Sequence, residues 1–426
     1  MQETLRDPPR AAGPRVEVLP NGLRVAVERV HHARSVAVGV WLGAGSLYER
    51  PGEAGAAHFL EHMLFKGTIR RSGRALADLM DATGGEFNAV TGRETTCYYG
   101  WVLADQWPRA VSILAELLLE SRIDAAAVEQ ERLVILEEIR GEEEAPESRA
   151  LMDLDRLLWG RHPYGRPIAG TVRSASRLTR EQLLRLKEEL YTPDNAVVSL
   201  AGNVDPDAAV EAVRAAFGGW TGRRARRPGR PPRPVGGVGV RRRRLDQAHL
   251  VFGSPGPGLG TRELYPALVL STLLGGGQSS RLFQRIREDE ALAYTVYSFH
   301  EAYRGSGAAG VYAAVRPDGA VRAASLIRAE FERLAQGPID PGELERARMQ
   351  LKSSVVFGLE SMVERMNRMG EQLLLLGRVT DPEELIARID AVTAEDVQAA
   401  ARAIWGAGPL VTAAVGPVSR PDIAGV

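Results

Sequence analysis

Apolar and polar residues alternate through VEVLPNGLRVAVERV (16–30), and apolar residues run almost unbroken through SVAVGVWLGAGSLYE (35–49). Both patterns predict strands, the first pair turning at Asn21-Gly22. Helical periodicity follows from about Ala54 to Phe65 and Arg74 to Ala82. The strand pattern returns in FNAVTGRETTCYYGWV (87–102), before long helices from about Asp105 to Glu120 and Ala125 to Glu143. Further on, HLVFG (249–253) reads as a strand, and LYPALVLSTLL (264–274) and SSRLFQRIREDEAL (279–292) as helices. Strands followed by helices in each half predict an α+β sandwich, with helices on one face of a largely antiparallel sheet.

The chain repeats itself. LTREQLLRLKEELYTPDNAVVSLAGNV, from Leu178, aligns without a gap on VTAEDVQAAARAIWGAGPLVTAAVGPV, from Val392, at an offset of 392 − 178 = 214 residues. Thr179 falls on Thr393, Glu181 on Glu395, Val197 on Val411 and Gly202 on Gly416. Each copy reads as an N-capped helix, a turn and an apolar strand closed by glycine. The expectation is two duplicated α/β sandwich domains, residues 1–220 and 238–426, joined by the linker TGRRARRPGRPPRPVGG (221–237). With RRRRL following at Arg241, this region is basic, but it lacks the interleaved aromatics that stack on bases. It reads as a solvated tether.

With 426 residues, 44% of them hydrophobic, the chain can build more than one core. Lys plus Arg and Asp plus Glu number 54 each, so no overall field favours nucleic acid or an anionic membrane. Cys97 is the only cysteine, which excludes an internal disulfide and a cysteine-based metal cluster and fits a reducing compartment. It lies in a strand pattern without a neighbouring cation, and reads as core rather than nucleophile. The opening MQETLRDPPRAAGPRVEVL is polar and interrupted by proline. A cytoplasmic protein, bound to neither membrane nor nucleic acid, is expected.

Candidate chemistry concentrates in AHFLEHMLF (57–65). At about 100° per residue with His58 at 0°, Glu61 falls at about 300° and His62 at about 40°. Phe59, Leu60, Met63 and Leu64 fall on the other side. Imidazoles at i and i+4 can hold one divalent metal, and the carboxylate between them can reach an attacking water, in the order of the inverted motif H-x-x-E-H. In VEQERLVILEEIRGEEE (128–144), Glu138 lies about 20° from Glu131, on a face shared with Val128, Val134 and Ile135. Carboxylates on an apolar face need a cation or strong donors, and a bound metal with its supporting hydrogen bonds would serve Glu138. Glu137 falls toward Arg132 and Arg140, where an exposed charge is unremarkable. His31, His32, His162, His249 and His300 have no partner at ligand spacing and are expected in turns and on the surface.

HFLEH at His58 and ERLVILEEI at Glu131 resemble the pitrilysin and mitochondrial-processing-peptidase family of zinc metallopeptidases. In that family the third ligand lies some 76 residues beyond the second histidine, and here 138 − 62 = 76. The resemblance implies Zn²⁺ on His58, His62 and Glu138, Glu61 as general base, and Glu131 in support. GGEFNAVTGRETTCYY, from Gly84, is similar to the family's substrate-binding strand, with Asn88 and Ala89 at the matching positions. LGGGQSSRLFQRIREDEALAYTVYS, from Leu274, is similar to its glycine-rich loop and helix, where Arg287 and Tyr294 complete the active site. A short, bacterial-type member of this kind forms one half-shell, which implies a homodimer or a heterodimer with a related chain. The function implied is zinc-dependent endoproteolysis of extended peptides. The alternative is a non-catalytic structural or peptide-binding subunit, of the kind that has lost the motif; this chain keeps it.

Overall fold

The computed structural model describes residues 13–224, 232–406 and 410–424. The opening dozen residues, the centre of the Arg- and Pro-rich linker and a few residues inside the second repeat lie outside the described residues.

The first sheet contains β1 (Arg15–Val18), β2 (Arg24–Arg29), β3 (Ser35–Leu42), β4 (Glu86–Thr91), β5 (Thr96–Leu103) and β6 (Ala196–Gly202), in the order β1-β2-β6-β3-β5-β4. The second contains β7 (Gly237–Arg242), β8 (Ala248–Gly256), β9 (Ala293–Tyr303), β10 (Ser306–Val315) and β11 (Val411–Gly416), in the order β7-β11-β8-β10-β9. The repeated strands β6 and β11 hold equivalent places. Each is parallel to one neighbour, β2 or β7, and antiparallel to the other, β3 or β8; the remaining pairs are antiparallel. Thr179 and Thr393 start the preceding helices with the same capping box, closed by Gln182 and Asp396. Gly202 and Gly416 end the strands at φ 139° and 142°, a conformation that favours glycine.

Helices cover one face of each sheet, as the pattern predicts, but the other face is covered too, by a helix from the opposite half. Helix Met362–Leu376 lies on β2, β3 and β6. Its Met362, Met366, Met369 and Leu373 pack on Ala37, Trp41, Cys97, Val197 and Ala201. The fit requires missing side chains: a Cβ on Gly370 would lie 2.1 Å from the Trp41 ring, and one on Gly39 2.2 Å from Met366 Sδ. In return, helix Pro146–Trp159 lies on β7, β8 and β11. Its Leu154 sits over Gly253 and its Leu157 over Gly239.

The basic run is not simply a solvated tether. Alternation in and just after β7 turns Arg241 and Arg243 toward the first half. Arg241 donates to Asp153 at 3.1 and 3.2 Å, and Arg243 to the carbonyls of Glu143 and Glu144 at 2.8 and 3.1 Å. Those carbonyls lie in the last turn of a helix, where orphan acceptors and the helix dipole attract a cation. The helix expected over 279–292 is shorter and wider, with Phe283–Asp289 wound as a π-helix. No helix among the described residues is long and apolar enough to cross a membrane.

Candidate metal centre

The histidines stand on helix Ala56–Leu64, whose start is buried. Its N-cap, Gly55, has φ 93°, and a Cβ there would lie 2.4 Å from the Ala169 carbonyl oxygen. Only glycine fits, and glycine has no side chain to accept from the first N–H groups of the helix. Glu49 supplies the cap from outside, one carboxylate oxygen accepting from the Gly55 and Ala57 N–H groups at 3.0 Å each. Burial pushes this carboxyl up to about 8, against the two N–H groups and nearby Arg166, which favour the ionised form. Phe59, Leu60, Met63 and Leu64 are fully buried, which leaves His58, Glu61 and His62 on the opposite side of the helix.

Glu138 approaches from helix Ala125–Glu144, packed against the first. Its carboxylate oxygens lie 3.4 Å from His58 Nε2 and 3.6 Å from His62 Nε2, and one donor atom from each residue falls within 4.8 Å of the others. These separations are long for hydrogen bonds. Each is close to the spacing of about 3.3–3.6 Å between two ligands on zinc bonds of about 2.0–2.2 Å, with Oε1 facing His58 and Oε2 facing His62. His62 Nδ1 lies 2.8 Å from Glu131 Oε1. A carboxylate accepts, so Nδ1 carries a hydrogen, which leaves Nε2, on the side of Glu138, as the nitrogen available to a metal. Lys66 Nζ balances the other Glu131 oxygen at 2.5 Å. His58 Nδ1 is buried without a hydrogen-bond partner. Burial lowers the His58 pKa, with Glu138 opposing, so this imidazole is held toward the neutral form a metal requires.

Glu61 lies beside the cluster and accepts from the Thr91 hydroxyl. Burial raises its pKa, and the Thr91 bond counters this. The helix of Glu138 departs from the predicted wheel in one respect. Its buried strip is Val128, Glu131, Ile135 and Ile139, narrower than expected. Val134 is 53% exposed and the Glu138 side chain 39%, both beside the strip and open to solvent.

Asn88 and Ala89 lie on β4, the edge strand nearest the histidine helix. Asn88 Oδ1 accepts from the Ala89 N–H at 2.8 Å. Arg287 and Tyr294 meet each other: the guanidinium donates to the Tyr294 carbonyl at 2.9 Å and lies 5.3 Å from its ring centre. Tyr294 is 74% exposed. Among the described residues, no hydrogen bond, ion pair or ring contact joins either to the histidines, Glu61 or Glu138. Cys97 is buried, as expected, and burial raises its pKa. His249 and His300 are not in turns or on the open surface. They lie half-buried in β8 and β9, where His249 Nδ1 lies 2.7 Å from the Tyr312 hydroxyl. Sequence reasoning also missed Glu49, Lys66 and Thr91. Lys66, four residues beyond His62, was the one carrying a spacing signal.

Residues 24–172 match the model of the insulinase family, peptidase family M16, and residues 177–351 match that of the peptidase M16 inactive domain. An uncharacterized zinc protease of Mycobacterium tuberculosis is 43% identical over 405 residues, covering 93% of this chain and 92% of the relative. Another, from Bacillus subtilis, is 36% identical over 385 residues, covering 90% and 94%. A protease from Helicobacter pylori has the same fold, with a TM-score of 0.89 at 21% identity over 95% of this chain and 99% of the other. So does a chain of complex III from Candida albicans, with a TM-score of 0.83 at 21% identity over 96% and 97%. The chain therefore belongs to the insulinase family of peptidases, family M16.

Proposed function

We propose that this protein is a zinc-dependent endopeptidase acting on extended peptides, with His58, His62 and Glu138 as the metal ligands and Glu61 as the general base. The observation that carries this reading is the convergence of three donor atoms, from two imidazoles and a carboxylate, within 4.8 Å of one another, with the hydrogen-bonded carboxylate of Glu61 alongside. Zinc bound there would supply Lewis acidity, polarising a peptide carbonyl and acidifying water. Glu61 takes the proton from the attacking water and delivers it to the departing amine. Glu131 keeps His62 in the ligating tautomer. An extended substrate adds to the free edge of β4 near Asn88 and Ala89 by main-chain hydrogen bonds, which accommodates many sequences.

The second half enters through Arg287 and Tyr294, as donors to the oxyanion. In this structure they pair with each other, so on this reading substrate or closure brings them to the carbonyl. Tyr294→Phe removes only a hydroxyl. It should lower turnover by about 10² to 10³ while leaving zinc content unchanged; wild-type kcat/KM on several peptides would reduce Tyr294 to surface packing.

As a single half-shell, the chain is proposed to pair with a second copy or a related chain. A non-catalytic subunit is the competing reading, and retention of both histidines, both glutamates and Glu61 argues against it. Elemental analysis and peptide digestion of the purified chain, with light scattering on the same sample, test the proposal. The expected result is about one zinc per chain and cleavage that a chelator abolishes and added zinc restores. Stoichiometric zinc without cleavage of any peptide, by the chain alone or with a co-purifying partner, would leave the subunit reading.

A further inference from the structure

Glu61 has one carboxylate oxygen tied down. The Thr91 hydroxyl donates to Oε2. The neighbouring hydroxyl of Thr96 donates to the Ala44 carbonyl at 2.7 Å and lies 3.5 Å from Thr91 Oγ1. Thr96 is thereby committed elsewhere, and the Thr91 hydrogen is directed at Glu61. Thr91 is only 9% exposed, so water does not compete freely for it. With Oε2 fixed, Oε1 is the oxygen left to meet a water molecule.

Thr91 ends β4, and the turn that follows is gripped from the second half. Arg93 Nε donates to the Tyr303 hydroxyl at 3.1 Å. Glu94, 5% exposed, accepts from the Arg304 backbone N–H at 2.9 Å, from Arg304 Nε at 3.4 Å and from the Tyr164 hydroxyl at 3.2 Å. Tyr303 and Arg304 form the turn between β9 and β10. β9 therefore carries Tyr294 near one end, while its other end holds the turn that aims Thr91.

We propose that Thr91 is a positioning residue for Glu61, and that the clamp of Arg304 on Glu94 is the means by which the second half sets that position. The proposal rests on the peptidase reading with Glu61 as base. Carboxylate orientation decides whether a proton can be taken as water attacks, and a general base contributes about 10² to 10⁴ in rate, so loss of its aim is expected to cost about 10- to 100-fold. That loss falls on kcat, because Thr91 acts on Glu61 through its side chain, whereas the substrate contacts proposed on β4 are main-chain hydrogen bonds near Asn88 and Ala89.

The test is a double-mutant cycle on the zinc-loaded full-length chain, with zinc content and melting temperature recorded for every variant. Thr91→Val should lower kcat by about 10- to 100-fold with KM within about threefold and zinc content unchanged. Thr91→Ser, which keeps the hydroxyl, should recover most of the turnover. Arg304→Met should lower kcat in the same way, and the double variant should lose little beyond Thr91→Val alone. Glu94→Gln replaces Arg304→Met if the latter does not fold. Wild-type kcat in Thr91→Val, equal damage in Thr91→Ser, or multiplicative losses in the double variant would each overturn the proposal. Glu61→Gln separates this from failure of the underlying reading: an inactive Glu61→Gln beside a fully active Thr91→Val removes Thr91 alone, whereas an active Glu61→Gln removes both.

Discussion

Glu61→Gln is expected to bind zinc as the native chain does and to lose nearly all turnover. Glutamine preserves the shape of the side chain and an oxygen that can accept from Thr91, so the fold and the hydrogen bond should persist. What disappears is the ability to hold a proton, and with it a contribution of about 10² to 10⁴ in rate. Glu61 is not needed as a ligand, because His58, His62 and Glu138 already bring three donor atoms within 4.8 Å of one another. The measurement pairs elemental analysis with single-turnover peptide cleavage. Cleavage near the native rate would sink the general-base role; loss of zinc together with activity would instead make Glu61 a ligand.

The second large effect is expected at His62. His62→Ala removes a donor atom and strands Glu131, whose remaining partner is Lys66. Stoichiometric zinc should be lost, and with it all chelator-sensitive cleavage. Glu131→Gln is the graded control. It keeps the ligand but weakens its orientation, and outer-shell changes of this kind cost about 10- to 100-fold in metal affinity. A competition titration should therefore rank native chain, Glu131→Gln and His62→Ala in falling order. If His62→Ala kept stoichiometric zinc, the ligand assignment would be wrong.

The parts of this site legible in the sequence were those set by helical geometry. His58, Glu61 and His62 had to share a face once the segment was helical, because four apolar residues occupied the other side. Glu131 and Glu138 stood out because carboxylates near an apolar strip need a reason to be there. Even so, the wheel put Val134 inside, while the structure leaves it 53% exposed. A wheel gives angles between residues but does not say how wide a strip the neighbouring helix covers. Glu49 and Thr91 were invisible for a different reason. One caps a helix whose own N-cap must be glycine, and the other reaches the histidine helix from the end of β4, 30 residues further along the chain, so neither leaves a local pattern. His249 and His300 are expected outside because neither has a partner at ligand spacing, and the packing that half-buries them comes from distant parts of the chain. For the fold, duplication could be read from the repeat at Thr179 and Thr393. The helix exchange could not, since nothing near Met366 in sequence names Trp41 as its neighbour.

That exchange makes the two halves interdependent as folding units. Helix Met362–Leu376 finishes the core of a sheet whose first strands were synthesised more than 300 residues earlier. Until it arrives, Trp41, Val197 and the surface around Cys97 remain open to water or to another chain. Contacts this far apart along the sequence are slow to form, and chains awaiting them are prone to aggregate. A fragment containing all the candidate metal ligands would thus be a nascent chain with one face uncovered. The same interlock gives the mature protein a tolerance that the nascent chain lacks. Each half grips the other through a helix buried against its sheet, so a protease that severed the linker would cut the only covalent tie between them without releasing either.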